Sequence, residues 1–274
     1  MSLPLRFVFQ REPLCLVEKT AVRQVLLLAP DGAVSALVAP PLFAEEPGAA
    51  HVPLARLPFG ALRQPGSPAC PVGTVEFCRA WMNACGVEEP EPLDYPEALR
   101  GYLRRRVQRF ASPLDVPDGW WVKPVKTKAW EAYRCSTQEP APLREGPVWC
   151  TEHLPVIAEF RAYVLSGQLR SVARYDDGEG PDEPPTSVLN FVQDVLSAYV
   201  KSGTAPVAFA LDVVLLTDGR AALLEVSDAW ALGKYKECLA TDYARMLLAR
   251  WAELCAAPVP LGPAAVTRMA RPAD

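Results

Sequence analysis

The sequence predicts an α+β protein: a small α/β unit at the N-terminus, then a larger part built on antiparallel hairpins with helices against them. Three observations carry that expectation. Asp218-Gly219 stands between two apolar runs, 207–216 and 221–226. Asp-Gly in that setting is the strongest short-range hairpin signal, because a type I′ turn needs positive φ at both central residues. Ser166-Gly167 marks a second two-residue turn, with alternating residues on both sides. Thr74 precedes Phe77, Cys78, Trp81, Met82 and Cys85 at helical spacing, and Gly86 closes that run.

The elements follow in order. Leu5–Phe9, Val25–Leu28 and Ser35–Val38 are short apolar runs suited to strands. Prolines crowd the following stretch, from Pro40-Pro41 to Pro71. After the Thr74–Gly86 helix, residues 87–96 form an acidic, proline-bearing connection to a helix over Pro96–Phe110. Trp120–Pro124 reads as a strand stopped by proline, and 140–146 as a linker. Val148–Thr151 and Val156–Val164 are strands, the latter leading into the Ser166-Gly167 turn. In the register of a two-residue turn, Glu159, Arg161, Tyr163, Arg170 and Arg174 share the polar face, with Glu159 opposite Arg174 and Arg161 opposite Val172. Phe160, Ala162, Val164, Leu169, Ser171, Ala173 and Tyr175 share the other. Residues 176–185 read as a mobile acidic loop, 187–201 as an amphipathic helix ended by Gly203, and about 235–256 as a long final helix. The tail from 258 reads as loosely held, and there is no internal repeat.

Composition narrows the function. The chain has 274 residues, half of them hydrophobic, enough for one large or two modest cores. A net charge of −4 argues against nucleic acid as a general partner. Arg104-Arg105-Arg106 falls in the expected helix and reads as a solvated face. No apolar stretch reaches membrane-span length, and the N-terminus is not a signal peptide. Eight cysteines form no Cys-x-x-Cys pair, and His51 and His153 are the two histidines, so a zinc site is not expected. The cysteines read as small buried hydrophobes in a reducing cytoplasm.

Three polar sets carry chemistry. With the Asp218-Gly219 turn, Asp212 lies directly opposite Glu225 on one face. Facing carboxylates repel, so a cation belongs between them: a hard divalent ion, or an arginine beside two solvated carboxylates. Lys123 sits in an apolar strand, followed by Lys126 and Lys128, a cationic mouth suited to phosphate or an edge lysine by a solvated loop. Arg161 has no carboxylate across the expected hairpin and is free to meet a ligand anion. No P-loop and no kinase motif occurs.

From Gly73 to about Leu254 the chain resembles the ATP-grasp proteins, specifically the bacterial and phage clade defined by one arginine and two lysines. The resemblance rests on an ordered set of short pieces: Gly73–Phe77, Asp94-Tyr95-Pro96, Val122-Lys123-Pro124, Lys128-Ala129-Trp130, Val148–Glu152 and Glu159-Phe160-Arg161 in the first part. Leu211–Val214, Leu224–Trp230 and Gly233-Lys234-Tyr235 follow. It implies ATP held between two antiparallel lobes, after an N-terminal domain over 1–112. The small lobe would span about 119–150 and the large lobe about 151–257 of a domain over 113–257.

The resemblance also implies roles. Lys123 and Lys128 would contact phosphates, and the backbone of Trp149, Cys150 and Thr151 would form the adenine-side hinge. Arg161, with Arg170 on its face, would meet the triphosphate or substrate anion, and Arg161 and Lys128 would act in catalysis. Asp212 and Glu225 would hold Mg²⁺. The family usually has Glu-x-Asn at the second metal strand. Here it is Glu225-Val226-Ser227, with Asp228 next as a substitute ligand, and serine is the weaker donor. The implied activity is an ATP-dependent carboxylate–amine ligase acting through an acyl phosphate on small-molecule or peptide substrates. A nucleotide-binding scaffold or regulator and an ATP-grasp kinase are the alternatives.

Overall fold

The computed structural model describes residues 5–10, 15–28, 34–38, 69–113, 116–136 and 144–256. Expectations for the proline-rich stretch before Ala69, most of the 140–146 linker and the tail fall outside them. Three sheets organise the described residues. The first is parallel, in the order β2-β1-β3, with β1 at Leu5–Phe9, β2 at Val34–Val38 and β3 at Cys70–Val72. Helix α1, Leu16–Leu28, connects β1 to β2, and α2, Val75–Cys85, follows β3. Parallel strands require a crossover of this kind. Thr74 caps α2 by accepting the Phe77 N–H at 3.3 Å, and Gly86 ends it at φ 70. The expected strand at Val25–Leu28 is the last turn of α1. A short apolar run read alone does not separate a strand from a helix end, and the residues before it continue the helix.

The second sheet has the order β4-β7-β5-β6: β4 Val107–Phe110, β5 Trp121–Pro124, β6 Tyr133–Arg134 and β7 Val148–Thr151. The expected helix over Pro96–Phe110 is absent. A 3-10 helix covers Glu97–Tyr102, Arg104 takes φ 51, and the chain then extends so that Val107 pairs with Thr151. Leu99 and Leu103 are both buried there. Within β5, Val122 and Pro124 are buried while Trp121 and Lys123 alternate to the opposite face.

The third sheet, β11-β10-β8-β9, is antiparallel throughout. Its strands are β8 Val156–Leu165, β9 Gln168–Arg174, β10 Ala208–Leu216 and β11 Ala221–Asp228. Helix α3, Thr186–Ser202, covers one face, packing Val188, Val192, Val195 and Tyr199 against Phe160, Ala162, Phe209 and Leu211. The other face, with Tyr163, Ala208 and Ala210, shares one core with α4, Ala240–Ala256, and with the N-terminal unit's Phe7, Val22, Phe77 and Trp81. The final helix therefore starts later than its apolar pattern implied. Cys238 is buried before it, and Leu239 is 64% exposed.

Both hairpins of this sheet carry a bulge. The Ser166-Gly167 turn is the expected two-residue turn, with φ of 53 and 70. Arg170 is then an extra residue, and beyond it Tyr163 pairs with Ser171, Arg161 with Ala173 and Phe160 with Arg174. One residue of slip moves every later β9 side chain to the opposite face. Tyr175, not Arg174, therefore shares a face with Arg161, and the expected Glu159–Arg174 pairing is replaced by Tyr175 N–H donating to Glu159 O at 3.1 Å. The Asp218-Gly219 turn is not type I′. Only Gly219 has positive φ (79), and Leu216 N–H donates to Arg220 O across a three-residue loop. Leu224 bulges out between Leu223 and Glu225, and this second departure cancels the first, so Asp212 does pair with Glu225.

Candidate functional site

The second and third sheets face each other across a cleft of about 470 Å³, within the range of small-molecule pockets. Its walls come from Trp121 and Lys123 on β5, the connection Thr151–Val156, Glu159 on β8, Glu225 on β11, and Tyr95 and Arg105 from the segment before β4. Thr151 lines the cleft, and the connection between lobes continues through Glu152-His153-Leu154-Pro155, a few residues beyond the expected hinge. Cys150 is buried in the small sheet's core, and Trp149 packs edge-on against Tyr95 at 5.1 Å. His153 Nδ1 accepts the Trp121 indole N–H at 3.3 Å.

Lys123 crosses the cleft. Its ammonium donates to Asp94 Oδ1 at 2.5 Å and to Glu225 Oε2, and lies 4.9 Å from the Tyr95 ring centre. Burial alone would lower its pKa, but Glu225, Tyr95 and Asp94 outweigh burial and raise it. Burial likewise pushes the Glu225 carboxyl up, and Lys123, then Arg161 and Arg105, more than reverse that. Asp94 keeps a raised pKa because burial exceeds what Lys123 returns. Asp94 is placed by φ 36 and by Val226 N–H donating to its carbonyl at 2.8 Å. Short polar residues tolerate that backbone, which is the signal Asp94-Tyr95-Pro96 carried without revealing its role.

Arg161 is not free. Asp212, its neighbour on β10, takes Nε and Nη2 at 2.7 and 2.8 Å, and Ser227 Oγ donates to Asp212 Oδ2 at 3.0 Å. The hairpin register considered β9 alone, and the partner came from the other side of β8. Tyr175 and Tyr235 stack on each other with ring centres 5.4 Å apart, and the guanidinium lies beside the pair, 5.1 and 5.4 Å from the two ring centres. Burial would lower the Arg161 pKa, and Asp212 outweighs it and raises it. Burial raises the Glu159 carboxyl, partly offset by a hydrogen bond from the Tyr175 hydroxyl.

Three expected site residues lie apart, and one unexpected residue joins the cleft. Lys128 is exposed, at φ 49, and lines a separate cavity. Arg170 is exposed at the β9 bulge. Asp228 is buried against Arg250, which donates Nε and Nη2 to it at 2.8 and 2.6 Å, so its carboxylate is spent. Arg105, expected on a solvated face, is half-buried and donates to the carbonyls of Leu223 and Leu224 at 2.7 Å each. It holds the β11 bulge that brings Glu225 opposite Asp212.

Two sheets facing each other across a charged cleft are the arrangement of the ATP-grasp fold. Solved ATP-grasp structures share it at low identity. D-alanine–D-alanine ligase from Bacillus anthracis superposes at a TM-score of 0.55 and 11% identity, over 93% of this chain and 99% of that one. The same enzyme complexed with ATP gives 0.54 and 11%, over 93% and 95%. D-cycloserine synthetase DcsG gives 0.52 and 15%, over 90% and 99%. Residues 61–254 match the ATP-grasp domain of family 3 in the clade named for one arginine and two lysines, and the chain belongs to that family. No curated protein matches it.

Proposed function

We propose that the chain is an ATP-dependent ligase that joins a carboxylate to an amine through an acyl phosphate. The observation that supports this best is Lys123, which reaches from the small sheet to Glu225 on the large sheet over a cleft of about 470 Å³. The adenosine would lie against Trp121 and the 151–156 connection, with the phosphates toward Lys123.

A triphosphate entering there meets one lysine already matched by two carboxylates, so further positive charge is needed. Magnesium fits the donor chemistry: Asp212, Glu225 and Ser227 offer hard oxygens on adjacent strands. Among the described residues no cluster of three or more ligating side chains forms a site alone. Magnesium characteristically takes one or two carboxylates and draws its remaining ligands from phosphate and water. When bound, the ion would neutralise charge developing on the phosphoryl group.

The chain's own residues do the rest. Lys123 would hold the phosphate oxygens. Arg161, fixed by Asp212 and flanked by the stacked Tyr175 and Tyr235 rings, would present its remaining edge to the acyl carboxylate without reorganising. The stacked rings would cover one side of the guanidinium against water.

The test is ADP release from Mg-ATP over a matrix of carboxylates and amines. Release that requires both partners supports the ligase, and release with one acceptor alone identifies a kinase. Lys123→Met should abolish release and weaken nucleotide binding. A second reading, a nucleotide-binding protein without turnover, draws on Asp212 having both oxygens engaged by Arg161 and Ser227. ATP binding without ADP release from any pair would select it.

A further inference from the structure

A second cavity, of about 120 Å³, lies between the N-terminal unit and the 230–233 segment. It has room for roughly four waters. Two opposite charges line it. Glu18 on α1 accepts the Lys234 N–H through Oε1 at 3.0 Å, which leaves Oε2 with no hydrogen bond or ion pair among the described residues. The Lys128 ammonium has neither among the described residues. Both charges act on one point of the wall, Cys15: burial pushes its thiol up, Glu18 adds to that, and Lys128 opposes it.

The Glu18 end adjoins the cleft's chemistry. A Cβ placed on Gly233 would stand 3.7 Å from Arg161 Nη1 and 3.8 Å from Glu18 Oε1. Arg161 uses Nε and Nη2 on Asp212, so Nη1 is the edge that faces this junction. The remaining wall includes Val72, Cys78 and Leu247, and the Tyr243 hydroxyl there is spent on Leu232 O at 2.6 Å.

We propose that this cavity is the acceptor subsite and takes a small α-amino acid as its zwitterion, ammonium on Glu18 and carboxylate on Lys128. The assignment rests on the ligase reading. Cavity size and apolar walls limit the side chain to hydrogen or methyl, so glycine and alanine are the class. The ammonium lies at the Arg161 end, which makes the bound amino acid the amine donor. Lys128 then reads the acceptor's carboxylate and not a nucleotide phosphate.

Binding is tested directly on the full chain, in the presence of magnesium and a non-hydrolysable ATP analogue. The probes are glycine and L-alanine, with ethylamine and propionate as probes lacking one charge each. The amino acids should bind, and each single-charge probe should bind at least about tenfold more weakly, the worth of one charge-assisted hydrogen bond. Lys128→Met should weaken glycine by a similar factor, leave the nucleotide analogue unaffected, and be largely rescued by Lys128→Arg. Glu18→Gln keeps an oxygen for Lys234 N–H and should weaken glycine equally. The proposal is overturned if neither amino acid binds, or if Lys128→Met weakens the nucleotide and not glycine. ADP release with bulky amines only would sink the subsite and leave the ligase standing. Glycine binding with no ADP release from any pair would leave the subsite and sink the ligase.

Discussion

The two hairpins of the large sheet each bend at a single extra residue, and the two bulges are held very differently. In β10–β11 the extra residue, Leu224, is gripped from outside: Arg105 donates to its carbonyl and to that of Leu223, and stacks 5.8 Å from Tyr95. In β8–β9 the extra residue is Arg170, exposed on an edge strand near the turn. The anchored bulge fixes the position of Glu225 in the cleft. The loose one settles which side chains of β9 face Arg161. Both bulges shape the site from edge strands, and their partners tell how firmly each is held.

The largest effect on this comparison comes from removing the charge that both hairpins share. Arg161→Met should cost about 3–5 kcal/mol, because it leaves Asp212 buried and uncompensated, and should lower turnover roughly a hundredfold or more. Adding Asp212→Asn should restore much of the melting temperature and none of the turnover. If the single variant melts like wild type, the fork is not the stabilising pair it looks.

The bulges themselves come next. Arg105→Met should cost about 1–3 kcal/mol, because two carbonyls lose their donors, and should weaken nucleotide binding through Glu225. Arg170→Ala should leave both melting and binding as in wild type. Equal behaviour of the two variants in a thermal-shift titration would refute the distinction drawn between the bulges.

The same two bulges explain how much was legible in the sequence. Alternation, turn chemistry and caps located six of the eight strands from β4 to β11, all but β4 and β6, together with α2 and α3, because those depend on neighbours within a few residues. They set Lys123 on the cleft face and Asp212 beside Glu225. The Asp212–Glu225 register held because a longer turn was cancelled by the Leu224 bulge, and neither departure has a local signature. Arg161 was misjudged because its carboxylate stands on β10, far along the chain, and strand order is not written in either hairpin. Asp94 and Arg105 were missed for the same reason. A short acidic turn and a basic triplet look solvated until the sheet that needs them is in place.

The smallest predicted effect concerns the side of the loose bulge. The slip at Arg170 turns Arg174 away from Arg161, and it gathers the loop after β9: it donates to Asp176 Oδ1 at 3.1 Å and to the carbonyls of Gly178 and Gly180. Asp176 in turn accepts the N–H groups of Glu159 and Gly178 at 2.8 Å each. Burial opposes the Asp176 charge, but Arg174 and these two donors outweigh it and hold the carboxyl down to about 2, below its ordinary 3.8. A depressed carboxyl stabilises the fold when ionised. Its contribution is therefore present above pH 3.8 and is lost as pH falls from 3.8 through about 2. Asp176→Asn removes the charge at every pH. The melting-temperature difference between wild type and this variant should be constant near neutrality, shrink below about pH 4, and approach zero near pH 2. Glu225, also held below its ordinary value, is present in both proteins, so its acid sensitivity cancels in the difference. The protection of the Gly178 amide against hydrogen exchange, taken relative to its intrinsic rate at each pH, should fall in wild type as Asp176 is protonated. A difference that stays constant to the lowest pH would mean the loop is held by Arg174 and its carbonyl partners alone, with the Asp176 charge adding nothing.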